Sequence, residues 1–150
     1  PPLALYYMQG LNLTPLHGHT ALFGVYGMLG IGLMLFTLRL LKPEARWDGV
    51  LIGRGFWALN IGLMGMALMC LLPMGVLQVS AAIDKGYWYA RSAEFMQQPI
   101  IEALVWMRVP GDVLFAVGAL FIAWFVVRLW LPAGRTQDVA VTGEEVRAKA

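Results

Sequence analysis

Three stretches without a charged side chain divide this chain. No Asp, Glu, Lys or Arg occurs from 1 to 38, from 55 to 83, or from 113 to 127. An apolar helix of about 20 residues crosses a hydrocarbon core of roughly 30 Å. The first two runs exceed that length outright. The third reaches it when extended over 110–131, with Asp112 and Arg128 at the two interfaces. The pattern predicts an all-α fold: an integral membrane helical bundle with three transmembrane helices at about 14–41, 55–83 and 110–131.

Punctuation residues set the ends. Thr14 followed by Pro15 suits a helix start, since a proline at the first helical position sacrifices no intrahelical bond. Pro43, within LKPEARWDG, closes the first span. Pro73 falls inside the second and predicts a kink, because it removes a backbone donor and crowds the preceding turn. The stretch DKGYWYARSAEFMQQPIIEALVWMRVPGD reads as an interfacial segment, with a short surface-lying helix near 99–107. Residues 132–150 read as a polar cytoplasmic tail.

Composition agrees with a membrane protein. Hydrophobic residues make up 59% of the 150 and charged ones 13%, about half the usual soluble share. The net charge of +2 is spread over loops rather than gathered on one face, which excludes a nucleic-acid binder. Arg39, Lys42, Arg46 and Arg54 crowd the first loop, and Arg128, Arg135, Arg147 and Lys149 follow the third span. Between spans two and three, Lys85, Arg91 and Arg108 are outnumbered by Asp84, Glu94, Glu102 and Asp112. The positive-inside rule therefore makes the first loop and the C-terminus cytoplasmic. The single cysteine, Cys70, lies in an apolar run and reads as a packing residue. The chain opens PPLALYY, without methionine or a basic lead-in. It is expected to be a piece of a longer polypeptide rather than to carry a signal peptide.

Both histidines of the chain, His17 and His19, stand in LHGHTALFGVYGMLG at the outer end of the first span. At about 100° per residue, i and i+2 project from nearly opposite sides of a helix. That spacing is poor for one shared metal and suits two separate sites. Neutral imidazole is a common axial ligand of haem iron, and Gly18 removes a side chain between the two flanks. The bland alternative is a pair of imidazoles bonded to backbone carbonyls or a neighbouring helix. Gly18, Gly24, Gly27, Gly30 and Gly32 predict a first helix packed in an interior.

The segment HGHTALFGVYGMLGIGLMLFTLR resembles the tenth core helix of the haem-copper oxidase and nitric oxide reductase superfamily. FWALNIGLMGMALMCLLPMGVLQ, GYWYARSAEFMQQP and WMRVPGDVLFAVGALF look like its closing helices, so the resemblance covers about 6–130. It is closest to the C-terminal part of the large, catalytic subunit of bacterial nitric oxide reductases. Within them ALFGVYGML looks more like the quinol-oxidising single-chain type than the cytochrome c-dependent one. The resemblance implies that His17 ligates a high-spin haem b and His19 a low-spin haem b. It implies reduction of two NO to N2O and water, with quinol as electron donor, in the bacterial inner membrane. A non-haem iron is also implied, but no further histidine exists here to bind it. Its ligands are expected upstream in the same polypeptide, and these 150 residues alone are expected to be inactive. The alternatives are an oxygen-reducing haem-copper oxidase portion or a cofactor-free packing module.

Other polar residues carry less. Asn60 reads as a hydrogen-bonding residue toward a neighbouring helix, with a place near a haem edge as the lesser alternative, and Thr20 and Tyr26 read as packing and interhelical bonding residues. Arg91 and Arg108 suit haem propionates, or equally Glu94, Glu102 or lipid headgroups. Trp88 and Tyr89 read as an interfacial aromatic belt, with a quinol site as the minor alternative.

Overall fold

The computed structural model describes residues 2–43 and 45–131; the expected tail at 132–150 lies outside them. Helix α1 covers Pro2–Met8, α2 Leu13–Leu41 and α3 Gly49–Lys85. Short helices α4 (Tyr87–Ala90), α5 (Ala93–Met96) and α6 (Pro99–Trp106) lead into α7 (Val109–Trp130). Among the described residues there is no strand. Three units are long and apolar enough to cross a membrane: α2, α3, and α6 with α7 as one stretch, Pro99–Trp130. The architecture is an all-helical membrane bundle.

Local chemistry explains the boundaries of α3. Asp48 precedes it, and its Oδ1 accepts from the Leu51 amide at 3.0 Å, satisfying one orphan donor of the first turn. At the other end the helix stops at Gly86, whose φ of +88° is one that residues other than glycine rarely adopt. In between, Ala67–Leu71 winds as a π-helix, and the Leu72 amide reaches back to the Ala67 carbonyl. The irregularity expected at Pro73 is thus centred just before it. A wider turn there accommodates a residue that has no amide hydrogen to give.

Glycine decides how α3 meets α7. Gly55 and Gly62 lie seven residues apart on one helix, Gly111 and Gly118 seven apart on the other, so each pair shares a face. A Cβ built on Gly62 would stand 2.6 Å from the Phe115 nitrogen and 2.8 Å from the Gly111 carbonyl oxygen. One built on Gly118 would stand 2.6 Å from the Leu59 nitrogen and 2.9 Å from the Gly55 oxygen. The helices are antiparallel, backbone against backbone, and only hydrogen fits at the contact. The glycines of the first span, expected to lie in an interior that three helices alone cover poorly, meet little of this chain, with Gly24 facing the Leu63 side chain. Gly18, Gly30 and Gly32 have nothing within 4 Å of an added Cβ, and the most apolar window of α2 is 6% buried against 44% for α3. Within this chain, α2 is the open helix and the α3–α7 pair is the packed one.

The short helix expected near 99–107 forms as α6, but one of its faces is covered by protein rather than lipid. Ile101 and Leu104 are buried against Cys70, Leu71, Met74 and Phe95 around the π turn of α3. At the opposite end of the bundle, Leu38, Phe125 and Leu129 form a second cluster, with Trp47 packed against Phe125 at 5.0 Å. Lys42 closes that end: its Nζ donates to the Leu129 carbonyl at 2.8 Å and sits 4.0 Å over the Trp130 ring.

A buried amide ties the chain before α2 to α3. Gln78 is 3% exposed, and its Oε1 accepts from the Asn12 backbone amide at 2.7 Å and from Asn12 Nδ2 at 2.8 Å. Its Nε2 donates to the Ala90 carbonyl at 3.2 Å. Gln78→Leu keeps the volume but strands both Asn12 donors and the Ala90 acceptor. Orphaned buried groups cost about 1–3 kcal/mol each. The full-length protein in detergent is expected to melt several degrees lower and to be cut faster by protease near residues 9–12. An unchanged Tm and unchanged cleavage would show that the hub contributes nothing.

Candidate functional site

The two histidines sit where α2 changes its winding. The helix is α-helical over Leu13–His17 and π-helical over Gly18–Gly27. A π-helix closes i→i+5 bonds and turns through a smaller angle per residue, so positions 17 and 19 remain about half a turn apart. Single π turns recur at functional sites because they re-aim side chains. Here the ten-residue π segment begins between the two imidazoles.

Their surroundings differ. His17 is exposed, and among the described residues no hydrogen bond reaches its ring. Gly18 beside it leaves open space, since an added Cβ meets nothing within 4 Å. His19 is half-buried. Its Nδ1 lies 2.7 Å from the Pro15 carbonyl oxygen one turn back. A carbonyl only accepts, so Nδ1 carries the proton and Nε2 keeps the lone pair. That lone pair faces Arg108, whose terminal nitrogen stands 3.4 Å away.

Arg108 is itself held by Asp112, one turn further along the last helix. Its Nε donates to both carboxylate oxygens, at 3.1 and 3.0 Å. Asp112 thus fills the place that the sequence assigned to Glu94 or Glu102, and its four-residue spacing from Arg108 is the signal for that pairing. Arg91 also has another partner: it donates to the Gln9 carbonyl at 2.8 Å and lies over the Tyr87 ring. The arginines therefore part company, with Arg108 joining the histidine site and Arg91 fastening the chain after α1.

Two expectations, the interhelical bonds of Thr20 and Asn60, need correction. Thr20 donates to the Leu16 carbonyl of its own helix at 2.8 Å and makes no interhelical bond among the described residues. Asn60 likewise donates to Phe56 in its own helix at 2.8 Å. Tyr26 is two-thirds exposed and unpacked within this chain. Trp88 is 87% exposed, as an aromatic at a membrane interface would be, whereas Tyr89 is half-buried under Lys85. Cys70 is buried in the core beside α6, as a packing residue.

The donor set fits haem iron at His19. Metal-binding imidazoles as a rule give their second N–H to a carbonyl or carboxylate, which fixes the tautomer and the ring plane, and Pro15 provides that carbonyl. Nε2 has one lone pair, so an iron there would replace the Arg108 contact. Both nitrogens of His17 are unengaged by the described residues, beside a flank with room. Among those residues no three His, Cys, Asp or Glu side chains come together as a metal cluster.

Comparison with known proteins supplies the wider frame. The family model described as cytochrome C and quinol oxidase polypeptide I matches residues 1–114. The chain is also similar to one subunit of the nitric oxide reductase of Stutzerimonas stutzeri. The two are 28% identical over 125 residues, which cover 75% of this chain and 24% of that relative. The chain spans about a quarter of the length of the relative it matches.

Proposed function

The chain belongs to the cytochrome c and quinol oxidase polypeptide I family, and from that premise we propose that it is the haem-binding C-terminal portion of a respiratory nitric oxide reductase. The full polypeptide would reduce two NO with two electrons and two protons to N2O and one water. His17 would hold the high-spin haem b and His19 the low-spin one. Haem iron held there would supply one-electron transfer at both positions and, at His17, a site for the reacting gas. Quinol would be the electron donor, with cytochrome c as the alternative. The upstream part of the same polypeptide would bring the non-haem iron ligands and the second axial ligand of the low-spin haem. The bundle would lie in the bacterial inner membrane, both histidines toward the outer face and the C-terminus cytoplasmic.

One observation carries this reading. His19 gives Nδ1–H to the Pro15 carbonyl and keeps Nε2 as an acceptor facing Arg108, the arrangement a metal-binding imidazole needs. His17 stands half a turn round, in the open, where a second planar group has space. In that setting Pro15 acts as a positioning residue: its carbonyl keeps the proton on Nδ1 and the lone pair on Nε2. Gly18 between the two histidines faces open space, since an added Cβ there meets nothing within 4 Å.

The family's description covers oxygen-reducing enzymes, so an oxidase is the second reading. Purified full-length protein supplied with quinol separates the two. We expect the strong visible absorbance of a bound haem, and NO consumption with N2O as product. Oxygen uptake without N2O formation would favour the oxidase, and a haem-free protein would leave only a packing module.

A further inference from the structure

A cavity of about 220 Å³ opens where α3 ends and α5 and α6 fold back against it. Its floor is apolar, formed by Ala81, Phe95 and Ile101, the last two almost fully buried. Its rim is polar: Ser80, Asp84, Lys85, Tyr89 and Gln98. Pockets that enclose a drug-sized molecule measure roughly 300–1,000 Å³. This one is smaller and has exposed groups at its mouth, so it suits the end of a larger molecule rather than the whole.

Its depth in the membrane follows from α3. Arg54 and Asp84 bracket the charge-free run of that helix. At 1.5 Å per residue they stand about 45 Å apart, close to the thickness of a bilayer with its headgroups. Asp84 and Lys85 therefore lie at headgroup level, beside the exposed Trp88.

The rim offers opposite charges side by side. Lys85 Nζ sits 4.4 Å over the Tyr89 ring, which holds the ammonium near the mouth. Asp84 belongs to the last turn of α3, where carbonyls without an intrahelical donor and the negative end of the helix dipole add to its carboxylate. One corner attracts a cation and the next attracts an anion, over an apolar floor.

We infer that this cavity seats the headgroup of a phospholipid bearing a primary ammonium, phosphatidylethanolamine. The ammonium donates to the Asp84 carboxylate and the final carbonyls of α3. The phosphate accepts from Lys85 and from the Ser80 hydroxyl, and the acyl chains begin against Leu77. A choline headgroup has no N–H to donate, and a glycerol headgroup has no cation for Asp84. The assignment does not depend on which gas the full enzyme reduces.

The test offers full-length protein in detergent an equimolar mixture of phosphatidylethanolamine, phosphatidylcholine and phosphatidylglycerol. Mass spectrometry then counts the lipid retained after delipidating washes. Wild type is expected to hold phosphatidylethanolamine roughly tenfold over phosphatidylcholine, the yield of one charge-assisted hydrogen bond. Asp84→Asn should bring the two to parity, and Lys85→Gln should lower retention of all three. Both side chains are exposed, and an unchanged melting profile confirms that the variants fold. A wild type without preference, a preference for phosphatidylglycerol, or a preference that survives Asp84→Asn would overturn the assignment.

Discussion

His19→Ala in the full-length enzyme is expected to abolish the low-spin haem signal and bring NO reduction to background, while the high-spin haem remains. His17→Ala is expected to do the reverse, removing the high-spin haem and sparing the low-spin one. The separation follows from position: the rings leave the helix about half a turn apart, and only His19 is tied to Pro15. If both haems were lost in each variant, the effect would be a collapse of the helix end rather than loss of a ligand. Reduced-minus-oxidised optical spectra and electron paramagnetic resonance of the two variants distinguish these outcomes. Spectra and turnover that survived both substitutions would remove haem ligation from this chain. A conservative control is Arg108→Lys, which keeps the charge but loses the two-point grip on Asp112. It should leave both haem signals in place.

The spans were legible because charge is excluded from hydrocarbon at high cost, so gaps in the charge pattern report membrane crossings directly. The histidine pair stood out as a candidate because it is the whole supply of one residue type in one turn. The π winding that starts between them was not, because an α and a π helix bury the same apolar run and differ only in which carbonyl each amide reaches. The contact between His19 and Arg108 spans 89 positions, and the Gln78–Asn12 hub spans 66. Such pairs follow from how helices cross, which local periodicity does not specify. The α3–α7 glycines stood in plain view at seven-residue spacing. The glycines of α2 are denser, yet Gly18, Gly30 and Gly32 meet no neighbour within this chain.

That contact gives the largest effect on stability. Gly62→Ala puts a methyl carbon 2.6 Å from the Phe115 nitrogen and 2.8 Å from the Gly111 oxygen, and contacts under 3.0 Å are essentially never seen for real Cβ atoms. Both obstacles are backbone, so no rotamer change relieves them, and the helices must separate. Overpacking of a rigid contact costs about 1–3 kcal/mol and occasionally more. The upper end is expected here, because parting α3 from α7 also loosens the fit at Gly55 and Gly118. Gly62→Leu should fail to yield folded protein. Gly53→Ala is the control on the same helix: nothing lies within 4 Å of its added Cβ, and glycine to alanine inside a helix gains about 1 kcal/mol. A Tm that falls for Gly62→Ala and Gly118→Ala but holds or rises for Gly53→Ala assigns the loss to the crossing. Equal Tm values for all three would mean that α3 and α7 lie further apart than a hydrogen's breadth. The seven-residue spacing of the two glycine pairs would then be chance composition.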